Sequence, residues 1–147
     1  MKTKELVENR INEIWNEYSN FPFCQISPLC VSEISETGII FIGLNPSLDE
    51  KNRIELEKSS DTSLKYYDLD GKHKYFKKFP EIADCVKLPW SHLDLLYFRE
   101  TNQDSINKNL FNQSGIDFIY KQLMVTKSLL DKLLSDNKLK IFVVNNS

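Results

Sequence analysis

Ile39-Ile40-Phe41-Ile42-Gly43-Leu44-Asn45-Pro46-Ser47 is the stretch from which the rest of the chain is read. Its first four residues are apolar without alternation, which reads as a strand buried on both faces, and the run breaks at Gly43 into a polar turn. A buried strand feeding such a turn is where α/β folds put their chemistry. Gly43 allows close approach to the backbone, and Pro46 fixes φ and stiffens the turn. Asn45 can both accept and donate hydrogen bonds. Gly, Asn, Pro and Ser are also the commonest turn formers, so a plain strand exit accounts for the same residues.

On the N-terminal side, Leu6, Ile11, Ile14, Trp15 and Tyr18 fall near helical spacing among charged residues, predicting an amphipathic helix of about four turns. Asn20, Pro22 and Pro28 end that pattern, and Phe21-Pro22-Phe23-Cys24 reads as an apolar loop laid over the core. On the C-terminal side, Leu48 to about Lys87 is a charged excursion too long for a simple crossover, with a tight turn expected at Asp70-Gly71. Within it Tyr66-Tyr67 and Tyr75-Phe76 accompany Lys72, Lys74, Lys77 and Lys78. Lysines suit phosphates and rings suit bases. The same mixture also describes a solvated hairpin or helix over a core.

His92 to Phe98 is the second strand candidate, ending in Arg99-Glu100-Thr101-Asn102-Gln103. Ser114 is placed to cap a helix from about Gly115 to Ser135, with Ile119, Leu123, Leu130, Leu133 and Leu134 along or beside one face. Leu139 to Val144 is the third strand, opening onto Asn145-Asn146-Ser147. This order implies an α/β domain with a mostly parallel sheet and right-handed crossovers. Ile39–Ile42 is expected at its centre, flanked by the strands ending in Phe98 and Val144. The three polar strand ends then meet on one edge, the expected ligand crevice.

With 147 residues, 41% hydrophobic and 27% charged, the chain fits a single domain, 1–147. A net charge of -2 gives no bulk attraction to nucleic acid, so DNA contact would need a local patch. The N-terminus lacks an apolar leader and no run approaches a membrane span, so a soluble, cytoplasmic protein with no membrane partner is expected. Cys24, Cys30 and Cys85 have no ligand-type spacing, alone or with His73 and His92. They are read as small buried hydrophobes, with no metal and no cofactor expected.

Gly43-Leu44-Asn45-Pro46-Ser47 after a buried strand resembles the first motif of the uracil-DNA glycosylase superfamily. It is most similar to the mismatch-specific uracil and thymine-DNA glycosylase branch, whose motif is Gly-Ile-Asn-Pro-Gly. The likeness extends through Arg99-Glu100-Thr101, matching an Arg-x-Thr segment at the end of the second strand, to the third strand and its polar turn Asn145-Asn146-Ser147. The resemblance implies a three-layer open sheet and hydrolysis of the N-glycosidic bond of a flipped, damaged or mismatched base in DNA.

Carried over, it puts Asn45 where the family positions the attacking water, and Gly43 and Leu44 on the floor of the base pocket. Pro46 and Ser47 would shape its mouth, and Arg99, Thr101, Asn102, Asn145 and Asn146 would line base or backbone. The stacking aromatic is sought among Phe76, Phe79, Tyr66 and Tyr67. Ser47 departs from the family's second glycine, and the fourth strand with its Pro-Ser minor-groove loop is not in this chain. The chain is therefore expected to be truncated at its C-terminus, leaving the Leu139–Val144 edge open to pairing in a homodimer. Two other classes stay open. One is an inactive relative that binds a nucleotide, nucleic acid or protein; the other is an unrelated α/β domain binding a phosphate-bearing small molecule.

Overall fold

A computed structural model describes residues 1–69 and 73–145; the expected Asp70-Gly71 turn, Lys72, Asn146 and Ser147 lie outside the described residues. The central strand β2 (Gly38–Gly43) starts at a residue with φ of 95°, where a Cβ would collide with the Pro89 carbonyl. Only glycine tolerates that conformation cheaply. The bare backbone there lets Gly38 N donate to Leu139 O and Ile39 N to Pro89 O, both at 2.9 Å. Those two bonds join the starts of three strands.

All six residues of β2 are buried. It pairs in parallel with β4 (Trp90–Asp94) on one side and β5 (Lys140–Val144) on the other, as the continuous apolar run predicts. A second, two-stranded parallel sheet joins β1 (Leu29–Val31) to β3 (Lys65–Tyr67). Neither short strand is anticipated in the sequence.

The second strand is shifted from its expected position. It ends at Asp94, and Leu95–Phe98 leaves the ladder although Leu96, Tyr97 and Phe98 are all buried. Side chains of α5 (Gln113–Leu134) take over part of this backbone: Tyr97 N donates to Gln122 Oε1 at 2.8 Å and Thr126 Oγ1 to Leu95 O at 2.7 Å, while Tyr97 O accepts from Leu29 N at 3.0 Å.

Helices cover both faces of the three-stranded sheet. Ile40 and Ile42 share the larger core with Leu93, with Val7, Ile11, Ile14 and Trp15 of α1 (Lys4–Glu17), and with Phe118, Val125, Leu129 and Leu133 of α5. Ile39 and Phe41 meet Phe79 and Ala83 of α3 (Lys78–Val86) in a smaller core. The 3₁₀ turn Pro22–Gln25 buries Phe23 and Cys24, in line with the expected apolar loop.

The cap of α5 is Asn112, whose Oδ1 accepts from Gly115 N at 2.9 Å, so Ser114 lies inside the helix rather than before it. Its buried face also differs from the expected one. Leu123 and Leu134 are exposed, while Gln122 and Thr126 are buried because they serve the 95–97 backbone. Two further helices were not foreseen, α2 (Glu50–Glu57), which buries none of its residues, and α4 (Gln103–Leu110). Of the cysteines, Cys24 is buried, Cys30 half-buried and Cys85 exposed, so the expectation of three buried hydrophobes fails at Cys85.

The chain is thus a mixed α/β structure with two small parallel sheets. Among the described residues β5 pairs with β2 alone, and Leu139 and Val144 are exposed. No described helix is long and apolar enough to cross a membrane.

Candidate functional site

Because the three strands are parallel, the segments after Gly43, Asp94 and Val144 all leave the same edge of the sheet. The first two are joined along their length. Leu95 N donates to Gly43 O at 3.0 Å, Leu96 N to Leu44 O at 2.9 Å and Glu100 N to Pro46 O at 3.1 Å. Thr101 Oγ1 then accepts from Leu48 N and donates to Leu48 O, both at 2.9 Å.

Glu100 anchors this clasp from a buried position. Its Oε1 accepts from Thr101 N at 2.8 Å and Asn102 N at 2.9 Å, and both oxygens take Arg53 Nη2 at 2.9 Å. Burial alone would raise this carboxyl, but the Asn102 N–H and the Arg53 guanidinium outweigh it and hold the group below the usual carboxylate range.

Asn45 sits half-buried inside the clasp. Its Nδ2 donates to Glu100 O at 2.8 Å, to Pro46 O at 3.1 Å and to Phe98 O at 3.4 Å. Three carbonyls around one amide nitrogen fix which end is nitrogen. The other end, Oδ1, is an acceptor to which no group among the described residues donates.

Strand alternation supplies the rest of the site. Ile39, Phe41 and Gly43 share a face and stand beside Trp90, His92 and Asp94 of β4. On the β5 side the ladder ends at Val144, and Asn145 follows, its N–H donating to Ile42 O at 2.8 Å. The last row at the carboxyl edge is therefore Asp94, Gly43, Asn145. The centre of the row carries no side chain of its own, and the Asp94 carboxyl and the His92 ring lean over it. A Cβ on Gly43 would collide with Asp94 Oδ1 and come within 3.0 Å of His92 Nε2.

Aromatic rings surround His92. Tyr67 Oη lies 3.0 Å from His92 Nδ1 and 3.4 Å from Asp94 Oδ2. Phe79 stacks on Phe41, with centroids 4.1 Å apart, and lies parallel to the His92 ring at 5.7 Å. Phe76 and Tyr75 approach His92 at 5.1 and 5.6 Å, and Asn145 Nδ2 donates to Tyr75 Oη at 3.1 Å.

Burial pushes His92 down to about 4 and Asp94 up to about 7, the latter against the Tyr67 hydroxyl bond that favours its anion. With the imidazole neutral, the 3.8 Å approach of His92 Nε2 to Asp94 Oδ1 is not an ion pair near neutral pH. His92 Nε2 is buried and has no partner among the described residues.

Of the residues singled out in the sequence, Gly43, Asn45 and Asn145 come together here, while Asn146 lies outside the described residues. Pro46 is buried, Leu44 half exposed and Ser47 exposed. Thr101 belongs to the clasp, and Asn102 caps α4, its Oδ1 accepting from Asp104 N at 2.9 Å and Ser105 N at 3.2 Å. Arg99 is half-buried, and its Nε has no partner among the described residues.

Among the aromatic candidates, Phe79 is core, packed between β2 and α3, and Tyr67 has its hydroxyl engaged by His92 and Asp94. Tyr66 is half-buried with its hydroxyl unpartnered among the described residues, and Phe76 is half-buried in the aromatic cluster. Tyr75, which is exposed and tied to Asn145, reaches the edge instead. Asp94, His92 and Tyr75 were missed in the sequence. The Trp90-x-His92-x-Asp94 alternation could have signalled the first two, because it places a carboxyl on the same face as the final glycine of the neighbouring strand. Among the described residues there is no cluster of three or more His, Cys, Asp or Glu able to hold a metal ion.

Comparisons with protein-family models, curated proteins and solved structures return no match to this chain.

Proposed function

We propose that this chain is a DNA glycosylase-like protein, built as a uracil-DNA glycosylase-like α/β layer structure, that hydrolyses the N-glycosidic bond of a flipped uracil-type base. The observation that carries this reading is the fixed amide of Asn45, whose three donor contacts leave Oδ1 as an acceptor with no donor among the described residues.

Cleavage of an N-glycosidic bond passes through an oxocarbenium-like state, which needs an oriented water more than a strong nucleophile. Asn45 Oδ1 would accept a hydrogen bond from that water and hold its lone pair toward the anomeric carbon. The Asp94–Gly43–Asn145 row lies at the same edge of the sheet and would face the departing base. A duplex would have to present its base extrahelically, most easily at a mismatch or lesion. The clasp supports this role because it orders the turn before any ligand arrives.

The test is single-turnover cleavage of a uracil-containing duplex by wild type and Asn45→Ala, with and without a chelator. Asn45→Ala is expected to slow cleavage by about 100-fold or more, as loss of one oriented polar group does in other hydrolases. An unchanged rate in Asn45→Ala, or activity lost on chelation, overturns the reading.

A further inference from the structure

We propose that the free edge of β5 is a dimer interface, pairing antiparallel with β5 of a second copy so that Phe142 lies opposite itself and two three-stranded sheets become one. The proposal names a partner rather than a substrate and does not depend on the glycosidic reading.

Backbone direction fixes which groups are available. Leu139 O accepts from Gly38 N and Asn145 N donates to Ile42 O, so the odd-numbered residues of β5 turn their backbone toward β2. The N–H and C=O groups of Lys140, Phe142 and Val144 therefore point away from it, and none has a partner among the described residues. A sheet edge is normally blunted by a proline, a bulge or an outward charge. β5 has none of these: its one charged residue, Lys140, has an almost fully buried side chain whose ammonium is held by Asp136.

Both faces beside this edge are apolar and incompletely covered. On one, Ile141 and Val143 continue the row of Ile39 and Phe41, yet they are exposed where α3 buries those two, and Ile82 and Val86 of α3 are exposed as well. On the other face, α5 turns Phe118, Lys121 and Ser128 toward Trp15, Glu17 and Arg10 of α1. Its far flank leaves Ile116, Tyr120, Leu123 and Leu134 exposed. Asn12 Oδ1 of α1 accepts from Leu64 N, next to β3, at 2.8 Å, and Tyr67 of β3 is bonded to His92 of β4. With α1 on the β4 side, the far flank of α5 is the one toward β5, where Val144 is also exposed.

A strand seated on this edge must therefore be apolar on both faces, and β5 is itself such a strand. A two-fold pair within one sheet is antiparallel, because only then do both copies keep the same face up. Only Lys140, Phe142 and Val144 present outward groups, so centring the pair on Phe142 sets Lys140 opposite Val144 and satisfies every one of those groups within β5. Ile141 then meets Val143, Phe142 meets its own copy, and no charge meets its like.

The experiment takes the full chain through a concentration series, followed by light scattering and by amide hydrogen exchange. Wild type is expected to reach a dimer mass, with the amides of Lys140, Phe142 and Val144 gaining protection as the dimer fills. Val144→Lys, which adds a charge to the edge, should weaken the dimer by about tenfold or more. Register is read by cross-linking Ile141→Cys with Val143→Cys, both carrying Cys85→Ser to remove the exposed native thiol. Directly opposed residues of this kind lie about 4.5 Å apart between Cα atoms, within disulfide reach. The mixture should therefore cross-link far more than either variant alone.

A monomer mass at every concentration, a dimer whose three edge amides still exchange freely, or a dimer indifferent to Val144→Lys overturns the proposal. Cross-linking no greater in the mixture than in the separate variants overturns it too. Wild-type mass and exchange decide the matter if a variant does not fold.

Discussion

The two faces of β2 differ in kind although they alternate residue by residue. Ile40 and Ile42 look into a large core filled by α1 and α5, whereas Ile39, Phe41 and Gly43 look toward α3 over a row that ends in His92 and Asp94. The first face is apolar along its length; the second grades from apolar to polar as it nears the carboxyl edge. One strand thus stabilises the fold with one side and lines the candidate site with the other. The two roles separate experimentally because side chains on opposite faces do not touch.

The largest effect on stability is expected on the α1/α5 face. Phe118 is fully buried and touches Trp15, Tyr18, Phe21 and Phe98 at ring centroid distances of 5.2 to 6.1 Å. Phe118→Ala should cost about 3–5 kcal/mol in urea unfolding and, where the chain still folds, leave the Asp94–Gly43–Asn145 row intact.

Gly43→Ala tests the opposite face. Its Cβ meets Asp94 and His92, so about 1–3 kcal/mol of overpacking is expected, together with loss of base binding. A variant that binds bases normally would dissolve the contrast between the faces.

A smaller effect, and one that depends on pH, is expected at Asp94. Its pKa is raised to about 7 in the folded state, so its contribution is fully present below about 4 and is lost as pH rises through about 7. His92, lowered to about 4, works in the other direction, with stability present above about 6.5 and lost as pH falls. The stability of Asp94→Asn relative to wild type should therefore increase steadily from pH 4 to 7 and then level off, measured by urea midpoints. A difference that stays constant with pH would mean that the carboxyl titrates normally.

The smallest effect is expected outside both cores, on the open edge at Val144. Val144→Lys should change stability by less than about 0.5 kcal/mol. If two chains pair along this edge, light scattering should give a dimer mass for wild type that the lysine returns to a monomer.

What could be read in the sequence follows from this division. The unbroken apolar run at Ile39–Ile42 left no face for solvent, so its central position was legible, as were the helix over Leu6–Tyr18 and the strand over Leu139–Val144. The apolar run through Leu96-Tyr97-Phe98 misled because burial under a helix and burial in a sheet look alike without a partner. The buried face of α5 was obscured by Gln122 and Thr126, whose polarity is explained only by the backbone groups they satisfy. β1 and β3, at three residues each, are too short to carry a period. Within the site, Asn45 stood out because turn chemistry is local. Asp94 and His92 did not, since their significance comes from lying across the ladder from Gly43.

The pairing of β2 also sets an order of events as the chain is made. Gly43 finds its first neighbour only when Asp94 has been synthesised, and Ile39 finds its second only at Ile141. Both contacts close long loops, which slows folding. Until the later one forms, the most apolar strand of the molecule has one unpaired side, a template for wrong partners on the ribosome. The carboxyl-edge row therefore closes only once Asn145 has been made, roughly a hundred residues after its central turn at Asn45.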